Sequence, residues 1–351
     1  MFRKHKSVVG LDLGSSVVKA VEITMQGQEP VVTGFARAEV PPGGSPADAV
    51  HGIFNTGKFK SRKVVTGVFG QSVVVRYVPM PKMSESDLKQ AIRLETDKYL
   101  PFELEEVVLD CQSLKRQASG SSSDSEGKGG EQMVTLLAAC KTKTVEERIE
   151  FLQKQGLTPV AIDVDLFALA NAWELCSLPG GEGEEGETRG IALVDVGAVR
   201  TSINVLCGGE TCFSREINVG GSDMTQAVAR RLSVTPAEAE AIKRDSEAHE
   251  HDVNVAITPV LEDLTSELSL SLDYVEHHSG VQVSEILLSG GGMLASGTAT
   301  FIEQTTGRTT RIWNPLEGLR VDNSTVDVQD LEAWASTLVV AVGLASRVRA
   351  A

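Results

Sequence analysis

Two aspartates close short apolar runs and are each followed by a glycine turn, Asp12-Leu13-Gly14-Ser15-Ser16 and Asp195-Val196-Gly197. A carboxylate at the end of a buried strand can hold waters of a Mg²⁺ ion, and a Gly-Ser turn lets backbone N–H groups approach phosphate oxygens. One such unit is a common turn in α/β proteins and says little. Two matching copies point to phosphates clamped between two similar halves, with Asp12 and Asp195 on the metal side. Lys19, seven residues after Asp12, is spaced to reach a β- or γ-phosphate, and Thr201, six after Asp195, to donate its hydroxyl. The plain alternatives are a solvated strand lysine and a strand-favouring threonine. Arg200 is a bulky cation within the second loop, where it either adds a phosphate contact or faces outward.

A third glycine cluster, Gly290-Gly291-Gly292 within SGGGMLASG (289–297), lacks the Cβ atoms that would keep a planar base or an α-phosphate off the backbone. Glu240 and Lys243 stand three apart on an expected helix and so share a face. They read either as a clamp on ribose and adenine or as a surface ion pair of little energetic weight. Asp163 and Asp165 lie in AIDVDLFALANAW (161–173), a run otherwise apolar, and read as strand-end and helix-capping aspartates.

The elements that must position these residues are legible from periodicity. Residues 8–23 (VVGLDLGSSVVKAVEI) read as two strands joined by a tight turn, and residues 191–206 (IALVDVGAVRTSINVL) repeat the design. Superposed, Asp12 meets Asp195 and Gly14 meets Gly197, so the unit is an internal duplication. Between the copies, 84–100 reads as a helix capped by Ser84 and ended by Pro101, and 106–114 and 133–140 read as strands. A Ser/Gly-rich segment, 116–131, and the connector 179–188 are too polar to bury a core. A helix-rich stretch at 144–155, a strand at 159–164 and an apolar helix at 166–177 complete the first half. In the second half, Thr235, Pro236 and Glu238 supply the cap, first-turn proline and capping-box glutamate of a helix to Lys243. An amphipathic helix spans 258–277, strand 284–289 leads into the triple glycine, and a final helix, 330–348, returns to the first half.

Composition bounds the function. At 351 residues the chain has room for more than one domain. A net charge of −15 argues against nucleic acid, which demands clustered Lys and Arg. The five cysteines show no metal spacing and read as free thiols of a reducing cytosol. No apolar run approaches the roughly 20 residues that span a bilayer, so any membrane attachment is expected through a partner.

The series Asp12–Ser15, Asp195–Gly197, Glu240–Lys243 and Gly290–Gly292 resembles the phosphate, ribose and adenosine motifs of the actin, sugar-kinase and Hsp70 superfamily. A resemblance over nearly the whole chain is carried by GLDLGSSVVKAVEI, LETDKYLPFELEEVVLD (94–110), SREINVGGSDMTQAVAR (214–230), LSGGGMLASG and WNPLEG (313–318). These look like the PilM family of type IV pilus assembly proteins, relatives of the cell-division protein FtsA. Lys98-Tyr99-Leu100-Pro101-Phe102 is its most specific stretch, since it belongs to no general nucleotide-binding pattern.

The resemblance implies an α/β, actin-like (ribonuclease H-like) bilobed fold with an FtsA-type inserted subdomain. Lobe 1 would be 1–81, 156–188 and 328–351, the α+β insertion 82–155, lobe 2 189–221 and 283–327, and its helical subdomain 222–282. ATP with Mg would bind through Asp12, Gly14, Ser15, Ser16, Lys19, Asp195, Gly197 and Thr201 at the phosphates. Glu240, Lys243, Gly290, Gly291 and Gly292 would flank the ribose and adenosine. The implied partners are the N-terminal cytoplasmic tail of the inner-membrane protein PilN, in a groove beside the insertion, then the pilus motor ATPases and self-association. The protein would be cytoplasmic and peripheral at the inner membrane through those partners, and its hydrolysis slow or absent. The competing readings are a sugar kinase or robust ATPase on the same fold, and an FtsA-like filament former.

Overall fold

The computed structural model describes residues 6–41, 43–117, 132–176 and 189–349, so the polar segment beyond Gln117 and the connector 179–188 lie outside the described residues. The chain divides into two compact units, Met1–Gly67 with Gln153–Ala351, and Val68–Leu152.

The first unit opens with β1 (Ser7–Leu13), β2 (Val17–Gln26) and β3 (Glu29–Glu39), an antiparallel meander. The five central residues of β1 are all buried, the pattern of a strand covered on both faces. Helix α1 (Pro46–Thr56) is capped by the Ser45 side chain and carries the chain to β4 (Lys63–Val68), which returns parallel to β1.

The second unit contains β5 (Val73–Pro81), α2 (Glu85–Leu94), α3 (Thr96–Tyr99), β6 (Val107–Gln117), β7 (Gln132–Lys141) and most of α4 (Thr142–Lys154). Its three-stranded sheet has the order β5-β7-β6, and Leu88 and Ile92 of α2 pack with Leu137 at its core. Sequence put the start of this subdomain at 82. The compact unit begins at Val68, because β5 pairs with β7 from Val73 to Pro81.

The chain re-enters the first unit with β8 (Thr158–Val164) and α5 (Asp165–Cys176). The duplicate follows: β9 (Gly190–Val196), β10 (Thr201–Cys207) and β11 (Glu210–Ile217), again antiparallel. Helices α6 (Gly221–Leu232), α7 (Pro236–Arg244) and α8 (Glu250–Ser279) cross to β12 (Val283–Ser289), which lies parallel to β9. Then come α9 (Thr298–Thr306), β13 (Thr309–Ile312), β14 (Arg320–Val321), α10 (Val328–Ala333) and α11 (Val339–Ala345). The sheets read β14-β3-β2-β1-β4-β8 and β11-β10-β9-β12-β13. Apart from the short β14, the strand order is the same in both lobes, with an antiparallel meander followed by a strand parallel to its first member. This is the duplication that the paired Asp-x-Gly units imply.

Helix α7 starts as expected, with Thr235 and Glu238 exchanging both capping-box hydrogen bonds. Helix α8 starts earlier than 258, because Val253 and Ile257 continue the buried face of Leu261, Leu264 and Leu268, and it runs through Pro259. The expected 330–348 helix is broken by a 3₁₀ turn over Ala335–Thr337, whose carbonyls are used elsewhere. Helix α11 lies on β1 so closely that a Cβ at Gly10 would fall 2.0 Å from Ala341 O. The cysteine expectation needs one correction. Cys207 and Cys212 close the β10–β11 hairpin as a disulfide, their Cα atoms 5.8 Å apart in register range, while Cys111, Cys140 and Cys176 are free.

Candidate functional site

The turn between β1 and β2 brings Asp12 opposite Lys19 in the antiparallel ladder, so both side chains leave the same face. Lys19 Nζ lies 2.7 Å from Asp12 Oδ2 and donates to Thr337 O at 3.1 Å. The break before α11 is what turns that carbonyl toward the lysine. Burial alone would lower the Lys19 pKa, but the Asp12 and Asp195 carboxylates outweigh it and hold the pKa above the ordinary lysine value. Asp12 is buried, whereas Ser15 and Ser16 are exposed at the tip of the turn.

Asp195 closes β9 and accepts from Ser289 Oγ of β12 at 2.8 Å. Burial raises its pKa, against the lowering influence of Lys19 and Ser289. Gly197 N–H donates to Arg200 O, and Gly197 O accepts from Gly221 N, both at 2.9 Å. The second loop is therefore tied directly to the start of α6. Thr201 is fully buried, and its hydroxyl donates to Val219 O at 2.7 Å, a bond internal to the lobe. Arg200 senses Glu216, Asp165 and Asp12, and burial lowers its pKa.

Glu240 and Lys243 form more than a surface pair. Lys243 is only 4% exposed, and its ammonium reaches Glu240 Oε2 at 2.7 Å, Thr225 Oγ1 at 2.7 Å and Gly221 O at 3.0 Å. Thr225 donates to Glu240 Oε2 at 2.5 Å. Burial depresses the Lys243 pKa, with Glu240 pulling the other way. Gly290 has φ +90°, and a Cβ there would fall 2.4 Å from Val196 O; its N–H donates to Ser336 O at 2.9 Å. A Cβ on Gly291 would meet nothing within 4 Å. The triple glycine thus packs onto the end of β9 while leaving open space at its middle residue.

The family model described as Type IV pilus assembly protein PilM matches residues 10–349. The chain belongs to the PilM family. A solved structure described as a PilM-PilN type IV pilus biogenesis complex matches at 30% identity and TM-score 0.80, covering 97% of this chain and 98% of that one. Weaker likenesses include the ethanolamine utilization protein EutJ of Carboxydothermus hydrogenoformans, at 16% identity and TM-score 0.49, covering 99% of this chain and 90% of that one. An ADP-bound MreB of Spiroplasma citri stands at 12% and 0.48, covering 96% and 94%.

The PilM match takes in every residue singled out above. Within the first unit the fold brings Asp12, Lys19 and Asp195 into one electrostatic cluster, and links Gly197 to Gly221 and hence to Lys243 and Glu240. Sequence reasoning discounted Asp163 and Asp165 together, and they differ. Asp163 is occupied structurally, accepting from Arg347 at 2.7 Å and Asn171 at 3.2 Å. Asp165 lies against Gly67 at the end of β4 and acts on the charges of both Lys19 and Arg200. Its position directly after β8, the strand next to β4, was the available signal. Thr225 and Arg244, which hold Glu240, carried no motif signal at all. Among the described residues, no helix is long and apolar enough to cross a membrane.

Proposed function

We propose that this chain is an ATP-binding scaffold of type IV pilus assembly that holds the N-terminal cytoplasmic tail of PilN. The observation that carries the reading is the 30% identity, over nearly the full length of both chains, to a PilM-PilN complex. Through the tail the protein would sit on the cytoplasmic face of the inner membrane and join the PilN assembly to the motor ATPases, with self-association as a further contact.

The donor set suits a Mg-nucleotide. Mg²⁺ takes one or two carboxylates and keeps waters and phosphate oxygens, which Asp12 and Asp195 would accommodate. Lys19 would serve the terminal phosphates, with Gly14, Ser15 and Ser16 at the first loop and Gly197 at the second. Thr201, whose hydroxyl is engaged with Val219, would act by holding the second loop rather than by direct donation. Glu240 would take ribose hydroxyls, Lys243 would hold Glu240, and Gly290, Gly291 and Gly292 would flank the base. ATP would then complete the scaffold as a bound ligand.

The test is calorimetric titration of a synthetic PilN cytoplasmic tail into the Mg-ATP-loaded protein. An extended segment that orders on binding loses entropy, so a dissociation constant of about 1 µM or weaker is expected. No interaction at concentrations of about 1 mM would overturn the scaffold reading.

A further inference from the structure

Glu39 ends β3 in the first lobe. It stands opposite Val17, and the next residue, Val40, donates its N–H to Ser16 O of the first phosphate loop at 2.8 Å. Arg244 ends α7 in the second lobe. Its Nε donates to Glu240 Oε1 at 3.0 Å, and its Nη1 lies 3.3 Å from Glu39 Oε1. One guanidinium therefore touches a carboxylate of each lobe. The contact to Glu240, four residues back on the same helix, is ordinary helix-surface pairing. The reach to Glu39, across 205 residues of sequence, is not explained by helix geometry.

Other contacts between the lobes include inward bonds to backbone carbonyls, Asn204 Nδ2 to Leu166 O at 3.0 Å and Gly290 N to Ser336 O at 2.9 Å, and an exposed amide contact, Asn314 Nδ2 to Glu332 Oε2 at 3.3 Å. The Glu39–Arg244 pair differs from these in joining opposite charges. Both side chains are open to solvent, 64% and 46% exposed, so the contact can part without burying or stranding a charge. An exposed pair contributes little to global stability. A pair that spans two bodies acts instead on the balance between closed and open forms, and a ligand held between them leaves through the open one.

We infer that Glu39 and Arg244 form a clasp on the nucleotide cleft. Arg244 positions Glu240 toward the ribose, and Glu39 makes that positioning depend on the lobes being together. Residence time of the nucleotide is then set partly at the clasp. This rests on the nucleotide reading given above, which assigns Glu240 to the ribose.

The test is the rate at which radiolabelled ATP, bound with Mg²⁺ and chased with excess unlabelled ATP, leaves the wild type, Glu39→Ala, Arg244→Ala and the double variant. Glu39→Ala should melt as the wild type does and release nucleotide about two- to fivefold faster at low salt, the size of an exposed ion pair. The difference should vanish near 1 M salt, where the screening length falls to about 3 Å. The double variant should release nucleotide no faster than Arg244→Ala, because both changes break one contact. Wild-type binding with unchanged release from Glu39→Ala, or additive effects of the two changes, would overturn the clasp alone. Failure of the wild type to bind nucleotide would remove the cleft reading and the clasp with it.

Discussion

Lys19 Nζ lies 2.7 Å from Asp12 Oδ2 across the β1–β2 ladder and is also drawn by Asp195 from the other lobe. The ammonium is the shared countercharge of the two carboxylates that the nucleotide reading assigns to Mg²⁺. Its pKa is raised, so the stability it contributes is complete below the ordinary lysine value and is lost only as pH rises through the folded one. Over the neutral range this contribution is constant, and substitutions there read out binding without a shifting background.

Lys19→Met should weaken ATP binding about tenfold or more, the scale of a charge-assisted hydrogen bond of about 1.5–3 kcal/mol. AMP, which lacks the terminal phosphates, should bind the variant as it binds the wild type. Competition titrations with both nucleotides check this, and equal losses would show that the lysine is structural.

Asp195→Asn should separate stability from binding. The Asp195 pKa is raised chiefly by burial, so its favourable contribution is present below the unfolded value and lost as pH climbs through the folded one. Its charge therefore costs stability at neutral pH. The amide can still accept from Ser289, so the variant should melt at or above the wild type at pH 7. That advantage should shrink as the solution is acidified and the wild-type carboxyl protonates. Mg-ATP binding should be lost throughout. A melting point well below wild type at pH 7 would contradict the sign of this argument.

The triple glycine yields a paired prediction. Gly290→Ala requires φ +90° from an L-residue and a Cβ 2.4 Å from Val196 O, and should cost about 1–3 kcal/mol of stability. Gly291→Ala meets open space and should change stability by about 0.5 kcal/mol or less. If the base lies against this turn, Gly291→Ala should still lower adenine-nucleotide affinity. Thermal melts with and without ATP distinguish the two roles.

Hydrolysis should be slow, with turnover below ~1 s⁻¹. A water aligned with the terminal phosphate needs a polar group within hydrogen-bond reach. Asp163 is held by Arg347 and Asn171, and Asp165 shares its field with Lys19 and Arg200. Phosphate-release assays on the wild type check this, and fast turnover abolished by Asp165→Asn would make the protein an enzyme.

Much of this architecture was legible because it is local. The two Asp-x-Gly turns, the α7 capping box and the strand at 284–289 depend on neighbouring residues and alternating burial. What sequence missed depends on distance along the chain. Thr225 and Arg244 are ordinary helix residues until α6 and α7 pack side by side and β3 ends beside them. The 3₁₀ break at Ala335–Thr337 has no local breaker residue. It is held by Gly290 N–H and Lys19 Nζ, donors from remote parts of the chain. The early start of β5's subdomain was hidden for the same reason, since β5 pairs with β7 across the intervening α2, α3 and β6.

The central claim, that the loops after β1 and β9 hold a Mg-nucleotide, is tested most directly by titrating ATP into the wild-type protein with and without Mg²⁺ under calorimetry. The account predicts saturable one-site binding that needs Mg²⁺ and disappears in Asp12→Ala. At a hundredfold excess over the dissociation constant, the ligand should stabilise the fold by about 2.7 kcal/mol. No heat and no thermal shift at saturating Mg-ATP, in protein that is folded and still binds the PilN tail, would contradict it.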